Sequence, residues 1–327
     1  MPTRRNTMRW RLYGGGKSWL LALAITGTLV LGGCGPGMAV GSGGAAAGGG
    51  AGGKIAVVAA ENTYGNVAAQ IGGRYVSVTS VESNPSTDPH TYEVSPRVAE
   101  SVSAAQLVIQ NGVGYDGFME KLEAASANPK RLSIDVQDLL ELPDDTPNPH
   151  LWYNPTTMGA VAGAMATDLS ELAPAHAAYF KANAASFAAS LKPWLAAIAT
   201  FKARYGGTPV ATTEPVADYM LQAMGADNLT PFGFQAEIMN GVDPAPQDVS
   251  LQTSLFSQHK VRVLVYNQQV TDPLTQSFIN AARADGIPVV GVYETMPTPG
   301  YTYQTWMLAE VTALTKAVAD RTSTVKL

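Results

Sequence analysis

Apolar and polar positions along this chain change period in a regular order. "KIAVVAA", from Lys54, is a short apolar run bounded by glycine and predicts a strand. "ENTYGNVAAQIGG" then places apolar residues at helical spacing and stops at Gly72-Gly73. "YVSVTSV" alternates as a second strand. "SPRVAESVSAAQ" predicts a helix with Ser95 as N-cap and Pro96 in its first turn. "LVIQNG" and "RLSIDV" read as strands, with the helical "YDGFMEKLEAAS" between them. After another helix over "TTMGAVAGAMATDLSELA", a long stretch shows no strand signal. In it Tyr179, Phe180, Phe187, Leu191, Leu195, Ile198 and Phe201 recur at three- and four-residue steps. Pro193 lies inside this helix and predicts a kink or break.

Beyond Gly206-Gly207 the alternation restarts. "TPVATTE", "VRVLVYN" and "IPVVGVYE" read as strands, "PVADYMLQAMG" and "PLTQSFINAARADG" as helices, and "TYQTWMLAEVTALTKAVAD" as a final amphipathic helix. Strands alternating with helices imply βαβ units and parallel sheets. The expected fold class is therefore α/β, with two parallel-sheet lobes joined by one long backbone helix and a ligand cleft between the lobes. The expected boundaries are 54–172 for the N-terminal lobe, 173–206 for the linking helix and 207–327 for the C-terminal lobe.

The first 53 residues belong to neither lobe. Arg4, Arg5, Arg9, Arg11 and Lys17 precede an apolar run from Trp19 to Leu31, which is shorter than the ~20 residues that span a bilayer. The run ends in Leu31-Gly32-Gly33-Cys34, small residues before the only cysteine. Residues 1–33 are expected to be a lipoprotein signal peptide and Cys34 the lipidated first residue of the mature chain. Residues 34–53, nearly all Gly, Ala and Ser, read as a flexible tether. The expected location is the outer face of the cytoplasmic membrane, held through Cys34.

Removing a leader with five of the 21 Lys+Arg and none of the 26 Asp+Glu takes the net charge from −5 to −10. An acidic body argues against nucleic acid as a partner and suits a cationic ligand.

The chain has four histidines. Two follow a proline directly, in "STDPHTYEVSP" (His90) and "TPNPHLWYNP" (His150). Proline fixes its own φ and pushes the residue before it to extended geometry, so the next side chain is aimed with little backbone freedom. Such preorganisation suits a metal ligand, although a lone Pro-His in a loop is usually only surface. Asp88 and Asn148 are placed to satisfy backbone groups in each turn. Ligands of open parallel sheets bind beyond the carboxyl ends of the strands. Glu214 and Glu294 end two predicted strands and join the two histidines as cleft candidates. Each acid reads equally as a charge at a helix start. His176 and His259 read as solvated.

With these residues in hand, the chain resembles the substrate-binding lipoproteins of zinc/manganese ABC importers, the cluster A-I metal-receptor family. "NPSTDPHTYEVSPR", "LVIQNGVGYDGFMEKL", "NPHLWYNP", "TTEPVADYM" and "VVGVYET" carry the resemblance, which runs from about Lys54 to Lys316. It implies four ligands closing on one transported Zn²⁺ or Mn²⁺, here His90, His150, Glu214 and Glu294. It implies as partners a membrane permease and its ATPase, a monomeric receptor, no enzymatic activity and modest hinge motion. In the family the third position is often His in zinc-type members and Glu in manganese-type members, and the fourth is commonly Asp. Glu at both leaves the choice of metal open. Two rival readings remain. A receptor for an organic metal chelate would line a wide cleft with Tyr64, Trp152 and Tyr293. A zinc hydrolase would need an open coordination position and a base, yet the sequence has no HExxH, and the acids near the paired histidines are Asp88 and Glu93.

Overall fold

Short apolar runs such as 107–110, 263–267 and 289–292 form strands with both faces covered, as in parallel sheets generally. The computed structural model describes residues 53–86, 89 and 94–327. Cys34, the leader, most of the tether and His90 lie outside the described residues.

The first sheet holds β1 (Ile55–Glu61), β2 (Val76–Glu82), β3 (Leu107–Gln110) and β4 (Leu132–Asp135), all parallel, in the order β2-β1-β3-β4. Around it run α1 (Asn62–Gly72), α2 (Pro96–Ala104), α3 (Gly117–Ala125), α4 (Val136–Leu139) and α5 (Thr157–Leu172). Ser95 takes the extended N-cap conformation before Pro96 but makes no side-chain cap bond.

The long linking element is α6 (Ala177–Ser190) followed by α7 (Lys192–Tyr205). They break at Leu191, two residues before Pro193, which sits in the first turn of α7 where its missing N–H costs no helical bond. His176, expected in solvent, is half-buried and stacks on Tyr75 with centroids 3.8 Å apart.

The second sheet repeats the topology of the first. Its strands are β5 (Pro209–Thr212), β6 (Asp227–Asn228), β7 (Val263–Asn267) and β8 (Val289–Val292), all parallel, in the order β6-β5-β7-β8. The helices are α8 (Asp218–Ala223), α9 (Phe232–Met239), α10 (Pro246–Ser257), α11 (Pro273–Ala284) and α12 (Tyr303–Asp320). β6, α9 and α10 have no counterpart in the sequence reading. β6 is only two residues long, and the two helices are set among Gly and Pro.

One apolar cluster runs through both lobes. It joins Val57 and Ile109 of the first sheet to Val210, Val263 and Val290 of the second, through Trp194 and Phe201 of α7 and Trp306, Val311 and Leu314 of α12. Trp194 meets Tyr303 edge-on with centroids 5.8 Å apart. Truncating a buried aromatic such as Trp194 costs about 3–5 kcal/mol. A core shared in this way ties the lobes along one side and leaves their strand ends facing each other.

Candidate metal centre

The chain order reverses between β1 and β3, and again between β5 and β7. Loops leaving neighbouring strands at such points diverge and open a crevice. The predicted site residues that lie within the described structure are found there.

His150 follows β4 by way of the Pro-rich loop and is fully buried. Asn148 aims it. The Asn148 Oδ1 accepts the backbone N–H of His150 at 3.0 Å and faces Nδ1 at 2.8 Å. An amide oxygen can only accept, so Nδ1 carries the proton and Nε2 points into the seam. There Nε2 stands 3.2 Å from Glu294 Oε2. Trp152 packs edge-on against the ring at 5.5 Å, as does Tyr115 at 5.8 Å.

Glu214 and Glu294 each lie two residues beyond the strand that sequence would have them end, since β5 stops at Thr212 and β8 at Val292. Both are buried, 3% and 1% exposed. Neither serves as an N-cap, because α8 begins four residues after Glu214 with Ala217 as its cap, and α12 is capped by Thr302. Glu294 Oε2 also accepts the Tyr115 hydroxyl at 2.8 Å. Gln269 holds the backbone around it, its Oε1 accepting the N–H groups of Glu294 and Thr295 at 2.8 and 2.7 Å.

Asn267, at the end of β7, joins the two acids. Its Nδ2 donates to Glu214 Oε2 at 3.1 Å and to Glu294 Oε1 at 2.5 Å. The structure thus brings His150, Glu214 and Glu294 to one place. Among the described residues, however, no three His, Cys, Asp or Glu side chains already stand as a metal-binding group. Pro89, which precedes His90, is buried.

Several bonds cross the seam around this point. Asn62 exchanges two with Met296, Nδ2 to O at 2.9 Å and N to Oδ1 at 3.0 Å. Asn148 Nδ2 donates to the Pro215 carbonyl at 2.8 Å, and the Tyr153 hydroxyl to the Tyr293 carbonyl at 2.8 Å. Within the N-terminal lobe, Asn111 Nδ2 donates to the Pro149 carbonyl at 2.8 Å while its Oδ1 accepts the Tyr64 hydroxyl at 2.6 Å.

More acids line the N-terminal side than sequence reading singled out. Glu61 and Glu82 end neighbouring strands as register partners, and Asp116 follows β3; all three are buried. Burial, with the charges of Asp116 and Glu82, pushes the Glu61 carboxyl well up. Asp116 is pushed up to about 6 by burial, against backbone N–H bonds from Asn111 and Gly112 that favour its anion. Arg131, whose side chain is 5% exposed, pairs with Glu123 at 3.4 Å. A strand-terminal Glu ordinarily reads as solvated, so only the tertiary fold exposes this acid-rich lining.

Tyr64 and Trp152 are fully buried and Tyr293 is 7% exposed. Trp152 packs edge-on against His150 and Tyr64 against Trp152, so neither of these two rings lines a wide cleft.

Two parallel sheets of matching strand order, a long broken helix beside them and a buried His–Glu–Glu grouping at their facing ends define a two-lobed receptor of the kind that captures small cations. The family profile for ZnuA, the periplasmic component A of the zinc-uptake complex, matches residues 57–317. The chain belongs to this family. It is 22% identical over 284 residues to the manganese-binding lipoprotein MntA of Bacillus subtilis, covering 82% of this chain and 86% of that one. It is 24% identical over 229 residues to the iron-binding protein YfeA of Yersinia pestis, covering 67% and 71%. The fold superposes on the periplasmic zinc-binding protein TroA of Treponema pallidum with a TM-score of 0.69 at 16% identity, covering 83% of this chain and 100% of that one.

Proposed function

We propose that this protein is the extracytoplasmic receptor of an ABC importer for a divalent transition metal, Zn²⁺ or Mn²⁺. His90, His150, Glu214 and Glu294 take the ion between the lobes, and a membrane permease with its ATPase receives it. Cys34 carries the lipid that holds the receptor at the outer face of the membrane. Capture and release constitute the function; no chemistry is done on the cargo.

The observation that carries this reading is the meeting of His150 with Glu294 across the seam, with Glu214 tied to Glu294 through Asn267. Buried carboxylates gather at one seam, and a dication there would balance their charge. An imidazole nitrogen and two carboxylates are suitable donors for Zn²⁺, and for Mn²⁺ at a higher coordination number. The names of the relatives fit, since they are described as binding manganese, iron and zinc. The organic-chelate reading loses support from the tight aromatic packing around His150.

Calorimetric titration of Zn²⁺ and Mn²⁺ into the purified body tests the reading, with His90→Ala alongside. The account expects one ion per chain and a large loss of affinity in the variant. Equally tight binding in His90→Ala would refute the ligand set.

A further inference from the structure

His150 belongs to the N-terminal lobe, but one of the residues that hold its backbone comes from the other lobe. The Tyr219 hydroxyl, on α8, donates to the Asn148 carbonyl at 2.8 Å. That carbonyl lies in the peptide bond to Pro149, which has no N–H, so this peptide plane is hydrogen-bonded only through its oxygen. The next carbonyl, that of Pro149, is held within the N-terminal lobe by Asn111 Nδ2 at 2.8 Å and by the Leu151 N–H at 2.7 Å.

Once proline has fixed its own φ, ψ of Asn148 and ψ of Pro149 carry the His150 backbone about. Each turns a carbonyl, and both oxygens are held. A residue before proline keeps to extended geometry, yet its ψ still spans about 40°. A preorganised ligand tolerates only about 10–20°. Proline therefore leaves the aim of His150 unfinished, and the bond to the Asn148 carbonyl narrows it. The imidazole follows Asn148 closely, because Asn148 Oδ1 faces Nδ1 and accepts the His150 N–H.

Resting on the metal-capture reading, we propose that Tyr219 is a positioning residue for the ion, acting through Asn148, so that His150 is fully aimed only while α8 touches the Pro-rich loop. Parting of the lobes at α8 frees the Asn148 carbonyl, widens the sweep of the imidazole and loosens the ion. Capture and closure are linked in this way. Tyr219 and Asn148 line a cavity of about 640 Å³ with Pro147 and Leu221. In Tyr219→Phe a water can enter there and satisfy the carbonyl, so the variant should fold. Such a water has no fixed seat on α8 and does not fix ψ.

The test compares the wild type, Tyr219→Phe and Gln70→Ala. Gln70→Ala removes the reciprocal amide bonds between Gln70 and Gln304, 2.9 and 3.1 Å, which join α1 to α12 without touching the Pro-rich loop. Affinities for Zn²⁺ and Co²⁺ are measured by chelator competition, and the visible spectrum of bound Co²⁺ reads the geometry of its ligands. Tyr219→Phe should weaken both ions about tenfold or more, the range for outer-shell changes at metal sites, and should alter the Co²⁺ bands. Gln70→Ala should keep the wild-type bands. Either change without the other in Tyr219→Phe, neither change, or the same altered bands in Gln70→Ala overturns the assignment. If Tyr219→Phe does not melt cooperatively, diffraction from the zinc-loaded wild type decides. A Tyr219 hydroxyl on the Asn148 carbonyl supports the proposal, and one turned away into the cavity overturns it. A wild type that takes up neither ion removes the metal-capture reading and this inference together. A wild type that binds both, matched by Tyr219→Phe, removes only the role of Tyr219.

Discussion

His150 Nε2 and Glu294 Oε2 stand 3.2 Å apart, from different lobes and 144 positions apart in sequence, with both side chains wholly buried. An ion held at the seam would be met by these same two atoms. Proton and metal therefore compete for the same atoms. His150→Ala and Glu294→Ala should each weaken metal binding beyond the roughly 10–100-fold typical of outer-shell changes. The double variant should lose less than the sum of the two, because the groups share one ion. Chelator-competition titration of the three variants checks this.

Asn148 is expected to act through His150. Asn148→Ala removes the acceptor that fixes Nδ1 and the bond to the Pro215 carbonyl. Metal affinity should fall about 10–100-fold. Asn148→Asp keeps the acceptor for Nδ1 and should lose less. Equal losses in both would mean that the link to Pro215 matters more than the orientation of the ring.

Asn62 pins the lobes with its reciprocal pair of bonds to Met296. Asn62→Ala leaves both Met296 backbone groups unpaired and should cost about 1–3 kcal/mol of stability. If the lobes part to release the ion, the variant should also release it faster, with a smaller change in capture rate. Stopped-flow exchange against a chelator, together with thermal melting, reads both quantities.

Glu310 governs a pH effect remote from the ion. It is fully buried, accepts the Trp306 indole N–H at 2.9 Å and the Tyr153 hydroxyl at 3.3 Å, and is pushed up to about 8 by burial. Its folded pKa lies above its unfolded value, so the native state binds the extra proton between about pH 4.5 and about 8. The contribution of Glu310 is complete below the lower value and is lost as pH rises through the window, with a slope of at most about 1.4 kcal/mol per pH unit. Denaturant melts at pH 5.5 and 7.5 should show this slope in the wild type and a smaller one in Glu310→Gln.

The parts legible in sequence are those with short-range causes. Proline before His150 fixes its geometry locally. The apolar runs of β1, β3, β7 and β8 stand out because both faces are covered. The break at Leu191 follows from Pro193 alone. Asn267 and Gln269 were not legible, because an amide after a strand reads as a turn residue until the partner loops are in place. The same holds for Glu61, whose burial beside Glu82 and Asp116 depends on strand pairing and tertiary packing. Nor does local pattern announce β6, whose two residues show no period and whose place is set by pairing with β5.

The most direct measurement is a diffraction experiment on zinc-loaded crystals, with anomalous data collected on both sides of the zinc edge. The account predicts one strong peak at the seam, about 2.0–2.2 Å from His150 Nε2, from a nitrogen of His90 and from one oxygen each of Glu214 and Glu294. A peak elsewhere, or one at the seam that His150 and Glu294 do not both reach, would contradict it.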